Sequence, residues 1–166
     1  MRIPTLCLAL TLALTACGGA ADPASLNDAG AKALNSGDYT EAATQFDAAL
    51  TALGADTSSA QFQRATWGMI QAAAHADPDR AESDFLEFAK SNSATTNEND
   101  YTKVINWLTE AKAFKQAASV GAVGLGLYSE SPALDAALKN VAKKSLEAGD
   151  TSGSDAMSSL GYMGDD

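Results

Sequence analysis

From Leu26 to Leu50 the chain sets small and large residues at intervals that constrain its folding more than any other feature. Gly37, Tyr39, Ala42, Phe46, Ala49 and Leu50 stand as G-x-Y-x-x-A-x-x-x-F-x-x-A-L, preceded by Leu26, Ala29, Gly30 and Ala33. Intervals of three and four residues put side chains on one face of a helix. Gly37 breaks that periodicity and reads as a turn between two antiparallel helices, with Asp38 or Thr40 capping the second. Gly30 and Ala42 are small enough for the two helices to approach closely, and Phe46 fills the space between them. A chain of 166 residues makes one modest domain. Abundant alanine with only four prolines favours helix throughout.

This unit resembles the tetratricopeptide repeat, a helix–turn–helix of about 34 residues with large and small side chains at fixed offsets. It departs from that pattern in lacking aromatics on the first helix and in carrying Gly54 where a proline usually sits. Two weaker copies follow. Phe62, Ala65 and Met69 precede a break at Ala76-Asp77-Pro78, where Asp77 suits a cap and Pro78 a first helical turn; Ala81, Phe85 and Phe88 come next. Tyr101, Val104 and Leu108 then precede Phe114, Ala117, Gly121 and Gly124. A last helix starts at Pro132 with Ser131 as cap, directing Leu134, Leu138 and Val141 inward and Lys139, Lys143 and Lys144 outward. The expected architecture is all-α, a tetratricopeptide-like stack of about three helical hairpins closed by a C-terminal capping helix, the polar-backed end that repeat stacks need.

The first seventeen residues, MRIPTLCLALTLALTAC, form a different kind of segment. Arg2 precedes an apolar stretch from Leu6 to Leu14, followed by the small residues Thr15 and Ala16. That is the layout of a secretory signal peptide, with an apolar core too short to span a bilayer. Leu14-Thr15-Ala16-Cys17 resembles the lipobox of bacterial lipoproteins. The resemblance implies cleavage before Cys17 and lipidation of Cys17 itself, and with Gly18 next it implies sorting to the outer membrane in a Gram-negative source. Of the two cysteines, Cys7 would leave with the peptide and Cys17 would be blocked, so the folded part needs no disulfide. The expected organisation is a lipoprotein signal peptide over 1–16, a lipidated tether over 17–25, a helical domain over 26–148 and a flexible acidic tail over 149–166. In that tail Met157, Leu160, Tyr162 and Met163 form an apolar cluster that reads either as a docking peptide or as a loose end.

Catalytic signatures are weak. The net charge of −10 argues against general nucleic-acid binding, which requires a basic surface. Asp77, Asp79 and Asp84 lack the alternating ligands and central glycine of a calcium loop, so helix capping explains them better than a metal. Gly121-Ala122-Val123-Gly124-Leu125-Gly126 follows no strand and precedes no Lys-Ser/Thr, so close helix packing explains it better than phosphate binding. His75, the one histidine, sits at a helix C-terminus with no recognisable nucleophile motif. No cofactor is expected beyond the covalent lipid on Cys17.

What remains is a surface. In tetratricopeptide stacks the first helices of successive units line a groove that holds peptides. By offset, that resemblance places Asn27, Ala31, Gln63, Trp67, Gln71, Asn99, Thr102 and Asn106 there. Asn and Gln bond a peptide backbone as both donor and acceptor, and Trp67 offers an aromatic anchor, whereas Trp107 reads as core. The expectation is therefore a lipid-anchored, non-catalytic scaffold at the cell envelope. It binds a protein or peptide partner, basic segments suiting its charge, and touches the membrane through its anchor rather than nucleic acid. The alternative is a helical lipoprotein that binds a small ligand or glycan, with Trp67 stacking on a sugar ring.

Overall fold

The structure, a computed structural model, describes residues 22–159. The segment expected to be a signal peptide, Cys17, and Leu160, Tyr162 and Met163 of the tail lie outside these residues. Eight helices follow one another, with no strand among the described residues: α1 (Pro23–Asn35), α2 (Tyr39–Leu53), α3 (Ala60–Ala76), α4 (Pro78–Ser91), α5 (Glu98–Glu110), α6 (Phe114–Leu127), α7 (Pro132–Glu147) and α8 (Ser152–Ser159). None is long and apolar enough to cross a membrane.

Local chemistry sets most of the boundaries. Asp22, Asp38, Ser59, Asp77 and Ser131 each cap a helix by accepting the backbone N–H of the residue three positions on. Proline opens α1, α4 and α7, where its missing N–H costs nothing. Asn97 and Asp100 form a reciprocal capping box at the start of α5. The cap at Asp22 starts α1 within the segment expected to be tether, so Pro23, Ala24 and Ser25 form its first turn.

Three of the four helix pairs share one turn. Gly37, Lys112 and Gly149 all adopt positive φ, at 80°, 61° and 71°. In each case the next residue's N–H reaches back to a carbonyl five residues earlier: Asp38 to Ala33 at 3.0 Å, Ala113 to Leu108 at 2.8 Å, Asp150 to Ser145 at 3.0 Å. This is the Schellman closure of a helix C-terminus. The α3–α4 pair turns more tightly, through Asp77, which ends one helix and caps the next.

Odd-numbered helices pack on one another in order, α1 on α3, α3 on α5 and α5 on α7, while each also packs on its even-numbered partner. A single apolar core runs from Ala33 to Met157. At its amino-terminal end the buried ring of Phe46 lies against two glycines. A Cβ at Gly30 would stand 2.9 Å from Phe46 Cε1, and one at Gly68 would stand 2.6 Å from it. Gly121 and Gly124 are likewise buried in α6, against Leu138 of α7 and Tyr101 of α5, which accounts for these two glycines by packing, whereas Gly126 faces open space.

One part departs from expectation. The tail over 149–166 contains a helix, α8, packed on α6 and α7. Met157 is 1% exposed there. The Gly/Ser composition that reads as loose chain is what admits the contact, since a Cβ at Gly153 would stand 2.9 Å from Phe114 Cβ and 2.8 Å from Ser145 Oγ. α7, expected as a terminal cap, is therefore the first helix of a fourth pair. Its outer face keeps Lys139, Lys143 and Lys144 exposed, and Leu134, Leu138 and Val141 are buried.

Candidate functional site

The residues expected to line a groove separate into three groups. Asn27 does not face one. It is fully buried, and its Nδ2 donates to the Gln61 backbone carbonyl at 3.1 Å and to Gln61 Oε1 at 2.8 Å, tying α1 to the start of α3. Its Oδ1 is buried without a partner. The helical offset was the right one for a face, but that face meets α3 instead of solvent.

Gln63 and Trp67 come together. With Phe88, Asn92, Thr96 and Asp100 they line a recess of about 230 Å³ between α3, the end of α4 and the start of α5. Trp67 is half-buried at the centre of an aromatic group. Its ring centroid lies 5.3 Å from Phe88, 6.1 Å from Phe85 and 6.2 Å from Trp107, the first and last edge-on. The Lys103 ammonium sits 4.5 Å from the Trp67 centroid, a cation–π contact. Trp107, expected as core, is half-buried like Trp67. Gln71 is half-buried one turn after Trp67 on α3.

Asn99 and Asn106 are exposed on α5, and with Lys103 between them they share one face by helical spacing. Lys103 joins that face to Trp67, so the recess and the polar stripe are continuous. Thr102 is half-buried, its hydroxyl donating to the Glu98 carbonyl at 3.0 Å. Across α1 and α3, Arg64 pairs with Asp28 at 2.8 Å.

The aspartates around Pro78 have separate duties. Asp77 accepts the Arg80 N–H, Asp84 pairs with Arg80 Nε at 3.1 Å, and Asp79 accepts from Gln116 Nε2 at 2.7 Å. No group of three or more His, Cys, Asp or Glu among the described residues is arranged to hold a metal ion. His75 stacks on Tyr39 with centroids 4.0 Å apart and planes 9° from parallel. Burial pushes the imidazole below its ordinary pKa, and the nearby Glu110 carboxylate partly opposes that.

Sequence reasoning missed a second recess. Arg80 of α4 donates through Nη1 and Nη2 to the Asp47 carboxylate of α2, at 2.8 and 2.7 Å. Above α3, on either side of this bridge, α2 and α4 stand apart around spaces of about 530 and 250 Å³. The larger has an apolar floor of Leu50, Phe62, Met69 and Phe88, with Asp84 and Glu87 on its rim. By contrast α4 and α6 pack directly, and Gln116–Asp79 and Ser119–Glu82 hydrogen bonds join them. No local sequence signal marks the difference, since it depends on how far neighbouring hairpins splay. No protein-family model, curated protein or solved structure matches the chain.

Proposed function

We propose that this chain is a lipid-anchored, non-catalytic scaffold of the tetratricopeptide kind that binds a protein or peptide partner at the cell envelope. The observation that carries the scaffold reading is the turn repeated at Gly37, Lys112 and Gly149, spaced 75 and 37 residues apart, joined to the ordered packing of the odd-numbered helices. Repeated hairpins stacked in register present a long surface that is built for holding another chain. On this reading the partner lies along α3 and α5, with Trp67 and Gln63 in the recess and Asn99 and Asn106 bonding its backbone. The membrane attachment rests on Leu14-Thr15-Ala16-Cys17 and the apolar stretch before it.

Glycan binding is the weaker reading, because Lys103 already occupies the face of Trp67 on which a sugar ring would stack.

Two experiments test the proposal. Labelled fatty acid is expected to enter the wild-type chain and not the Cys17→Ser variant; labelling of that variant overturns the anchor. Crosslinking in native membranes is expected to yield one recurrent protein partner, lost in an Asn99→Ala/Asn106→Ala double variant of unchanged helicity. Unchanged crosslinking by that variant overturns the α3–α5 surface.

A further inference from the structure

The geometry points to a second binding site, the recess between α2 and α4, which takes a short extended peptide carrying large apolar side chains beside a lysine or arginine. The inference rests on the scaffold reading for its class of partner, but it sets the contact between α2 and α4 over α3; Gln63, Phe88 and Asn92 line both recesses, and Trp67 lines only the other.

Four observations carry it. First, the space is there. About 530 Å³ lies open on one side of the Arg80–Asp47 bridge, within the size range of ligand sites. α2 and α4 flank it with less contact between them than α4 makes with α6. Second, its floor is apolar and incompletely covered. Leu50, Phe62 and Phe88 are all only half-buried, while Met69 beneath them is 5% exposed. Large apolar side chains left in this state beside a cavity gain from further burial.

Third, the charge is one-sided. Asp47, Asp84, Glu87 and Arg80 line the recess, and Arg80 is already held by Asp47 and Asp84. Glu87 is exposed and has no ionic partner among the described residues. Three carboxylates against one guanidinium leave a net negative charge beside an apolar floor, on a chain whose net charge is −10. A cationic, apolar occupant complements both, and an acidic one is repelled. Fourth, the shape suits an extended segment. The Arg80–Asp47 bridge lines both recesses, so an occupant running the length of α2 must pass over it, which suits a thin extended chain better than a helix of about 10 Å diameter. α2 is roughly 22 Å long at about 1.5 Å per residue, so some six or seven extended residues span it.

Methionine methyl resonances of the full chain read this site directly. Met69 lines the recess, and Met157 is buried in α8, against α6 and α7. The probe is an eight-residue peptide alternating leucine and lysine, with a counterpart in which glutamate replaces lysine. The lysine peptide is expected to bind saturably, moving the Met69 methyl and leaving Met157 in place. Glu87→Lys should weaken it at least tenfold and Glu87→Gln severalfold; both changes fall on an exposed position and leave helicity intact. The glutamate peptide should not bind. Saturation without a Met69 shift, equal binding of both peptides, or wild-type affinity in Glu87→Lys each overturn the inference. If the lysine peptide instead leaves Met69 still and loses affinity in Asn99→Ala/Asn106→Ala, the scaffold reading stands and the α2–α4 site falls.

Discussion

Arg80 and Asp47, 33 residues apart in the chain, are joined by two parallel hydrogen bonds of 2.8 and 2.7 Å across a space that their helices leave open. Both side chains are partly exposed, at 39% and 40%, so the pair is screened by solvent and its energy is modest. Its role is geometric: the planar guanidinium fixes the distance between α2 and α4 in a way that a flexible ammonium does not. Arg80→Ala is expected to lower stability by about 0.5–1 kcal/mol. Arg80→Lys should recover less than half of that loss. Urea denaturation of the single variants and of the Asp47→Ala/Arg80→Ala double variant gives the coupling, which should shrink in high salt.

Lys112 pays for its place in the α5–α6 turn with a φ of 61°, a conformation that disfavours residues bearing a Cβ by about 1–2 kcal/mol. The two equivalent turns use Gly37 and Gly149, where a Cβ would meet nothing within 4 Å. Lys112→Gly should therefore stabilise the chain by about 0.5–1 kcal/mol, after allowance for the greater freedom of glycine in the unfolded state. Gly37→Ala should destabilise it by a similar amount. Both shifts are read as changes in denaturation midpoint at constant slope.

Gly68 is expected to tolerate substitution far less well than its neighbourhood suggests. An added methyl would meet Phe46, which is 2% exposed and already faces Gly30. Overpacking of this kind costs about 1–3 kcal/mol. Gly126→Ala is the control: it lies in α6 with open space around its Cβ, so helix propensity alone should raise stability by up to about 1 kcal/mol. Thermal unfolding of the two variants should move in opposite directions.

Stability should fall on mild acidification, and His75 is the reason. Its pKa in the folded state lies below the ordinary 6.5, chiefly through burial. A base with a depressed folded pKa binds protons more readily when unfolded. Its contribution is therefore whole above pH 6.5 and declines as pH falls through the lowered value. His75→Gln should flatten the stability profile in that range. Glu110→Gln, which removes the charge opposing the shift, should extend the decline to lower pH. Denaturation midpoints between pH 7.5 and 5 check both.

The starts of α2, α4 and α7 were readable because capping is local. Asp38, Asp77 and Ser131 accept N–H groups three residues away, and Pro78 and Pro132 fix the first turns, so a short stretch of sequence holds all the information. Contacts between hairpins were not readable in the same way. The role of Gly68 depends on Phe46 from another helix, and in α3 alone it looks only like a costly residue. Asn27 lay at the right helical offset for an exposed face, yet which faces meet neighbouring helices is decided by the stacking angle. α8 was hidden for the opposite reason, since Gly153 and Ser154 score as loose chain and are buried because they are small. Of the candidate site, the meeting of Gln63 with Trp67 followed from spacing on one helix. The aromatic group around Trp67 and the α2–α4 recess required the third dimension.

α3 is the helix on which both members of the first pair pack, and it also packs on α4 and α5. Beyond it, the Arg80–Asp47 bridge is the principal link from that pair to the other helices among the described residues. A pull applied at the amino terminus therefore enters the molecule as shear along α3, resisted by Phe46 seated against Gly30 and Gly68, by the Asn27–Gln61, Asp28–Arg64 and Tyr39–His75 contacts, and by one two-pronged ion pair. Under tension the first pair is expected to part before the remaining helices do.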